Sequence, residues 1–355
     1  MNYQESVKLQ FDKLKNKDKV VIMAIESSCD ETSVAIVENG RILHSNVIAS
    51  QIDIHTRFGG VVPEVASRNH VLAIQNVCNE SLQKANMTFD DIDAIAVTYG
   101  AGLIGALLVG INFAKSLAYA LGKPLLLTNH IHGHIAANYI SHKNLVPPFT
   151  CLIVSGGHTA TLEVADYTKI KLVGTTADDA VGEAFDKVAR VLGLGYPGGP
   201  KIDKMAKEGQ NNIVFKTKNS MKHSDNFSFS GIKTAVVNYL HNQDQAGNEV
   251  NKADVCASFQ TLVVDELATK TIKAALDQGH KKLVAAGGVA ANSFLKKKLT
   301  EECEKYGIEL FMPELSLCTD NAAMIASMAY FNLRDGLGLA DLSLSAKSSL
   351  PLSTM

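Results

Sequence analysis

The chain has no C-x-x-C pair, although it contains six cysteines. Scattered thiols exclude a disulfide framework and a thiolate zinc site, and they fit a reducing cytosol in which most cysteines serve as small core residues. Charge of one sign is also missing. With Lys+Arg 34 against Asp+Glu 36 the formal net charge is −2, so neither a global nucleic-acid footprint nor an acidic tail is expected and an RNA partner would need a local patch. No apolar run reaches the roughly 20 residues of a membrane span; the longest, 101–111, is broken by Asn112 and Lys115. The first 19 residues mix Lys8, Lys13, Lys15 and Lys17 with Glu5, Asp12 and Asp18. They lack the apolar segment of an export signal and are expected to be a loosely ordered extension. A low-complexity linker is absent too, yet 355 residues exceed what one core supports, and two domains of roughly 150 to 200 residues are expected.

Two catalytic signatures are absent. Without H-E-x-x-H there is no general-base glutamate between paired histidines, which argues against a zinc peptidase. The glycines at 195–200 are not followed by Gly-Lys-Ser/Thr, so this turn is not a Walker A loop.

What is present begins with one strand grammar used twice. A continuous apolar run, 20–25, ends in Glu26-Ser27-Ser28-Cys29-Asp30-Glu31-Thr32; a second strand, 33–37, and an Asn39-Gly40 hairpin turn follow. Past residue 145 the pattern returns as a strand at 149–154, the turn Ser155-Gly156-Gly157-His158-Thr159, and strands at 160–164 and 170–173. Small polar turns of this kind are ordinary in hairpins, but they also present backbone N–H groups to phosphate. Their duplication points to two lobes facing a common nucleotide cleft.

Asn129-His130-Ile131-His132-Gly133-His134 follows the apolar run 124–128. If Asn129 caps a helix, His130 and His134 share one face and can share one cation, while His132 points away. Two imidazoles leave a metal short of ligands. Asp320, just before a helix at 322–333, is either the third ligand or that helix's N-cap.

Other stretches read as ligand walls or as solvated surface. The helix after Asp178 carries Asp179, Glu183, Asp186 and Arg190 on its polar face and runs into the stiff, bare turn 195–200. Lys204, Lys207, Lys216, Lys218 and Lys222 form the best phosphate-backbone footprint. Strand 283–286 ends in Gly287-Gly288, and a helix opens at Asn292 or Ser293; ligands sit at such strand ends. Gly100-Ala101-Gly102 leads into a helix at 103–121 whose start could hold an anion, although its glycines equally serve close packing.

The ordered set of motifs, Glu26 to Thr32, Gly59 to Arg68, His130 to His134, Val154 to Thr159, Asp178 to Lys187, Tyr196 to Pro200, Phe227 to Thr234, Gly287 to Asn292 and Cys318 to Ala326, resembles the tRNA N6-adenosine threonylcarbamoyltransferases over nearly all of Val21 to about Lys347. The resemblance implies an α/β, two-lobed actin/Hsp70-like fold with a duplicated lobe and a central nucleotide cleft. It divides the chain into an extension at 1–19, lobe I at 20–147 with a C-terminal helix at 321–345 packing back, lobe II at 148–320, and a tail at 348–355. It further implies transfer of threonylcarbamoyl from threonylcarbamoyl-AMP to N6 of adenosine 37 in tRNAs reading ANN codons. His130, His134 and Asp320 would hold one divalent metal, iron or zinc. Ile153, Val154, Ser155, Gly156, Gly157, Asp186, Gly199, Asp203 and Asn292 match positions that bind the adenylate. The implied partners are tRNA, a paralogous inactive subunit and a small P-loop ATPase, in the cytoplasm and without a membrane; the regions around 65–82 and 103–121 match the pairing face. Ala101 departs from the family's proline, and His132 has no family role. Sugar kinases of the same fold are the rival, disfavoured because Ser155 stands where they place an acid for the ATP metal.

Overall fold

The computed structural model describes residues 2–217 and 224–354. The chain forms two compact units, one comprising Met1–Pro147, Asp166–Lys169 and Pro313–Met355, the other Pro148–Ala165 and Ile170–Met312. Lys218 and Lys222 of the lysine-rich stretch lie outside the described residues.

The first unit opens with α1 (Tyr3–Leu14), β1 (Val21–Glu26), β2 (Glu31–Glu38), β3 (Ile42–Ser50), α2 (Ile52–Thr56), α3 (Pro63–Ala85), β4 (Ala94–Gly100), α4 (Ile104–Leu121), β5 (Leu125–Asn129) and α5 (His130–Ser141). Contrary to the expected loose extension, α1 is a capped helix. Asn2 and Glu5 form a reciprocal capping box, and Val7, Phe11 and Leu14 are buried, an i, i+4, i+7 stripe that outweighs the surrounding charges.

The second unit contains β6 (Phe149–Val154), β7 (Thr159–Asp166), β8 (Lys169–Thr175), α6 (Val181–Val191), α7 (Gly198–Ala206), α8 (Ser230–Gln245), α9 (Lys252–Asp277), β9 (Lys282–Ala286), α10 (Ser293–Tyr306) and β10 (Glu309–Phe311). The turn anticipated at 195–200 is in part helix: Pro197 is the N-cap of α7, and Gly198, Gly199 and Pro200 are its first turn. Pro at an early helical position loses no hydrogen bond, because the first N–H groups have no intrahelical partner. The chain then returns to the first unit with α11 (Ala322–Arg334) and β11 (Leu339–Ala340). The helix expected over 321–345 therefore stops at Arg334, and Asp320 belongs to the first unit rather than the second.

The duplication is plain in the strand order. The first sheet runs β11-β5-β4-β1-β2-β3 and the second β10-β9-β6-β7-β8. In each, an antiparallel hairpin (β1 with β2, β6 with β7) is extended by a parallel neighbour (β4 beside β1, β9 beside β6). Central strands carry unbroken apolar runs because both faces are covered. Ile22 and Ala24 of β1 pack with Met324 and Ile325 of α11 on one face, while Val21, Met23 and Ile25 pack with Ile74 of α3 and Ile111 of α4 on the other. By length and composition α4 could match a membrane span, but Ala106, Leu107, Gly110, Ile111, Ala114 and Ala118 are buried in the first unit.

Candidate functional site

Helix α5 starts where β5 ends. Asn129 is its N-cap and accepts a hydrogen bond from Ile131 N at 2.9 Å. All eleven residues from His130 to Ile140 are buried, so three histidines sit where an unsatisfied imidazole is costly. A single glycine explains how the helix comes so close to α11. A Cβ on Gly133 would lie 2.7 Å from Ile325 Cδ1, and this close approach sets the first turn of α5 beside the residues preceding α11.

Asp320 is one of those residues. The helix that follows is capped by Asn321, whose side chain accepts from Met324 N at 3.1 Å; Asp320 therefore does not do the capping. Its Oδ1 lies 3.5 Å from His130 Nε2 and 3.3 Å from His134 Nε2. The three side chains offer ligand atoms all within 4.8 Å of one another.

The surroundings favour positive charge. Nδ1 of His130 is 3.1 Å from Glu26 Oε2 and 3.1 Å from Ser28 Oγ. A carboxylate only accepts, so Nδ1 carries the proton and Nε2 is turned toward Asp320. Glu26 is fully buried and held in turn by Thr98 Oγ1 at 2.7 Å and Ser28 N at 2.6 Å. Burial would push its carboxyl up, but the charge and hydrogen bond of His130 outweigh that and hold it below its ordinary value. Burial likewise opposes a charged His130, yet Asp320 and Glu26 together push it up to about 9. Glu31 behaves oppositely. Burial, followed by the charges of Asp320 and Asp30, pushes it up to about 10, so it stays a neutral acid beside the charged cluster.

The residues fit a divalent cation. His134 is 1% exposed, and among the described residues neither ring nitrogen has a hydrogen-bond partner; at Nε2 that is a deficit of about 1–3 kcal/mol that a bound cation would remove. A buried carboxylate orienting a ligand histidine through its other nitrogen is the usual outer support of such a site.

The remaining anticipated residues lie in the second unit. Ile153 and Val154 are buried in β6, Ser155 just after it is buried too, and Gly156 and Gly157 are exposed with open space where a Cβ would be. Here the glycine that matters most is Gly182, in the first turn of α6: a Cβ there would meet Ser155 O at 2.7 Å and Gly156 Cα at 2.8 Å. Just ahead of α6, Asp179 pairs with Lys187 and Lys233, whereas on the helix itself Asp186 accepts from Gly198 N at 2.6 Å and ties α6 to the start of α7. Gly199 is open beside it. Asp203 of α7 accepts from Ser293 Oγ at 2.9 Å. Asn292 caps α10, accepting from Leu295 N at 2.9 Å, and donates to Gln260 Oε1 at 2.8 Å. Asp186, Gly199 and Asp203 are thus linked through α7, and Asp203 to the start of α10 at Ser293.

Glu26, Ser28, Thr98 and Glu31 acquired no role from the sequence. One signal was available for Glu26: an ionisable residue closing an apolar strand must be paired. Lys201, Lys204, Lys207 and Lys216 are exposed, with Lys207 3.6 Å from Asp203.

A family model described as tRNA N6-adenosine threonylcarbamoyltransferase matches residues 42–327. A protein of that name from Clostridium perfringens is 59% identical over 336 residues, covering 94% of this chain and 99% of the relative. Another, from Clostridium botulinum (strain Hall), is 59% identical over 322 residues, covering 90% and 94%. Among solved structures, full-length HypF in its phosphate- and nucleotide-bound form aligns with a TM-score of 0.61 at 15% identity, covering 89% of this chain, which spans only 46% of HypF. Component A of the Acidaminococcus fermentans (R)-2-hydroxyglutaryl-CoA dehydratase aligns with a TM-score of 0.52 at 14% identity, covering 89% and 99%. At such identities these structures speak to fold alone, and that fold is the actin/Hsp70-like one.

Proposed function

The chain belongs to the tRNA N6-adenosine threonylcarbamoyltransferase family, and from that premise we propose how its residues divide the work of modifying tRNA. The enzyme transfers threonylcarbamoyl from threonylcarbamoyl-AMP to N6 of adenosine 37 in tRNAs reading ANN codons. The reaction is acyl transfer from a mixed anhydride: the amine nitrogen bonds to the carbamoyl carbon, the bond from that carbon to the phosphate oxygen breaks, AMP leaves, and the proton lost by the amine passes to solvent.

His130, His134 and Asp320 hold one divalent cation, iron or zinc. The observation that carries this reading is the convergence of ligand atoms from these three side chains within 4.8 Å, with His134 lacking any hydrogen bond among the described residues. When bound, such an ion supplies Lewis-acid offset of the donor's charge. Glu26 fixes the ring of His130 through Nδ1, and Thr98 and Ser28 hold Glu26 in turn. In the second unit, the backbone N–H groups of the exposed Gly156 and Gly157 receive the phosphate that leaves with AMP. Asp186, Gly199, Asp203 and Asn292, with the β6 end at Ile153 to Ser155, hold the rest of the adenylate. No covalent nucleophile is needed. A paralogous inactive subunit and a small P-loop ATPase are the proposed partners, and the cytoplasm the proposed compartment.

The test is reconstitution. The purified chain, supplied with these partners, threonylcarbamoyl-AMP and unmodified tRNA, should yield the modified nucleoside. Absence of that nucleoside together with sugar-dependent ATP hydrolysis would favour a phosphotransferase instead. Cleavage of protein substrates without tRNA modification would favour a peptidase.

A further inference from the structure

The third histidine of α5 has no part in that division of labour, and the stretch that contacts it lies beyond residue 327, where the family match ends. At roughly 100° per residue, His132 stands on the side of α5 away from His130 and His134. It is 7% exposed, and its Nε2 lies 2.9 Å from Leu352 O; a carbonyl only accepts, so Nε2 donates. Asn129, whose Oδ1 already caps the helix, donates through Nδ2 to the preceding carbonyl, Pro351 O, at 3.3 Å. Two consecutive tail carbonyls are thus gripped by the cap and the first turn of the ligand helix. Upstream the same segment is docked on the end of β4. Lys347 N donates to Tyr99 O at 2.8 Å, and Ser348 O accepts from Gly102 N at 3.1 Å. Gly100 is shaped for it, since a Cβ there would lie 2.5 Å from Lys347 O and 3.0 Å from Leu350 Cδ1.

We propose that residues 347–352 are a positioning strap for the metal-ligand helix, with Asn129 and His132 as the positioning residues through which the strap fixes the rotation of α5. The helix is then held at both ends. At its C-terminal end Arg41 donates to the carbonyls of Tyr139, His142 and Leu145. A helix clamped this way presents His130 and His134 to Asp320 at one fixed orientation, and loss of the strap lets the first turn rotate. The inference rests on the metal reading only for its consequence, not for the strap itself.

The experiment therefore has two readouts. In the metal-free protein, a chain lacking residues 348–355 and the His132→Ala variant should show at least tenfold faster amide hydrogen exchange at the first turn of α5; outside that turn and, in the deletion, the strap's own docking site at 99–102, the first unit should be unchanged. In the same variants the affinity for Co(II), used as the probe, should fall about 10- to 100-fold, the range for losing outer support of a ligand, with an altered ligand-field spectrum. His132→Gln, which keeps an N–H donor, should recover most of both, and Gly100→Ala should mimic the deletion. Unchanged exchange at α5 in the deletion would overturn the strap whatever the metal does. Faster exchange with unchanged Co(II) affinity and spectrum would overturn its positioning role. If wild-type protein fails to bind Co(II) while exchange responds as expected, the strap stands and the metal reading falls.

Discussion

The two β-hairpins that open the two sheets have the same pairing and the same parallel neighbour, but their turns carry opposite chemistry. In the first, Ser27, Ser28 and Asp30 are 1%, 2% and 6% exposed; Ser28 reaches His130, and Glu26 and Glu31 flank the turn. In the second, Gly156 and Gly157 are exposed and carry no side chain at all. One turn is buried and borders the His130–His134–Asp320 cluster proposed to hold a cation; the other is bare backbone, proposed to receive an anion. The same scaffold occurs twice, and the side chains at each turn set its chemistry.

That contrast predicts separable failures. The largest effect is expected at the cation side: Asp320→Ala or His134→Ala should lower transfer to tRNA by roughly 1,000-fold or more, the several kcal/mol a Lewis acid contributes, while equilibrium binding of the donor adenylate is largely retained. Next comes the anion side. Gly182→Ala drives a Cβ into Ser155 O and Gly156 Cα, and the displaced turn should weaken donor binding and lower transfer about 100-fold, the cost in rate of a misplacement near 1 Å, with metal content unchanged in the purified protein. Glu26→Gln should have a smaller and more selective effect, a roughly 10- to 100-fold loss of metal affinity measured by competition with a chelator. Donor binding serves as the internal control.

How much of this was legible depended on whether a side chain announces itself. The doubly covered strands read directly from unbroken apolar runs such as 20–25, and Asn129 read as a cap because short polar side chains ahead of helices do that work. His130 and His134 were visible from spacing. Asp320 was ambiguous, since Asp and Asn both cap helices; only the structure shows that Asn321 takes the cap. The helix α1 was missed because lysines and acids surround its Val7-Phe11-Leu14 stripe. The role of His132 could not be read at all, because its partner is a main-chain carbonyl 220 residues away, and carbonyls leave no trace in a sequence.

The smallest expected effect on catalysis serves as a check on specificity. Phe11→Ala removes a core side chain of α1 that is 4% exposed and should cost about 3 kcal/mol of stability in a thermal melt. Below the melting transition, transfer activity and donor affinity should match the wild type, because neither turn is touched.

The separation of the two turns is tested most directly by one variant measured two ways. Asp320→Ala should bind threonylcarbamoyl-AMP with near wild-type affinity by calorimetry and yet form no modified nucleoside on tRNA in the reconstituted reaction. Modification at the wild-type rate would contradict the account, and so would loss of donor binding in parallel with activity.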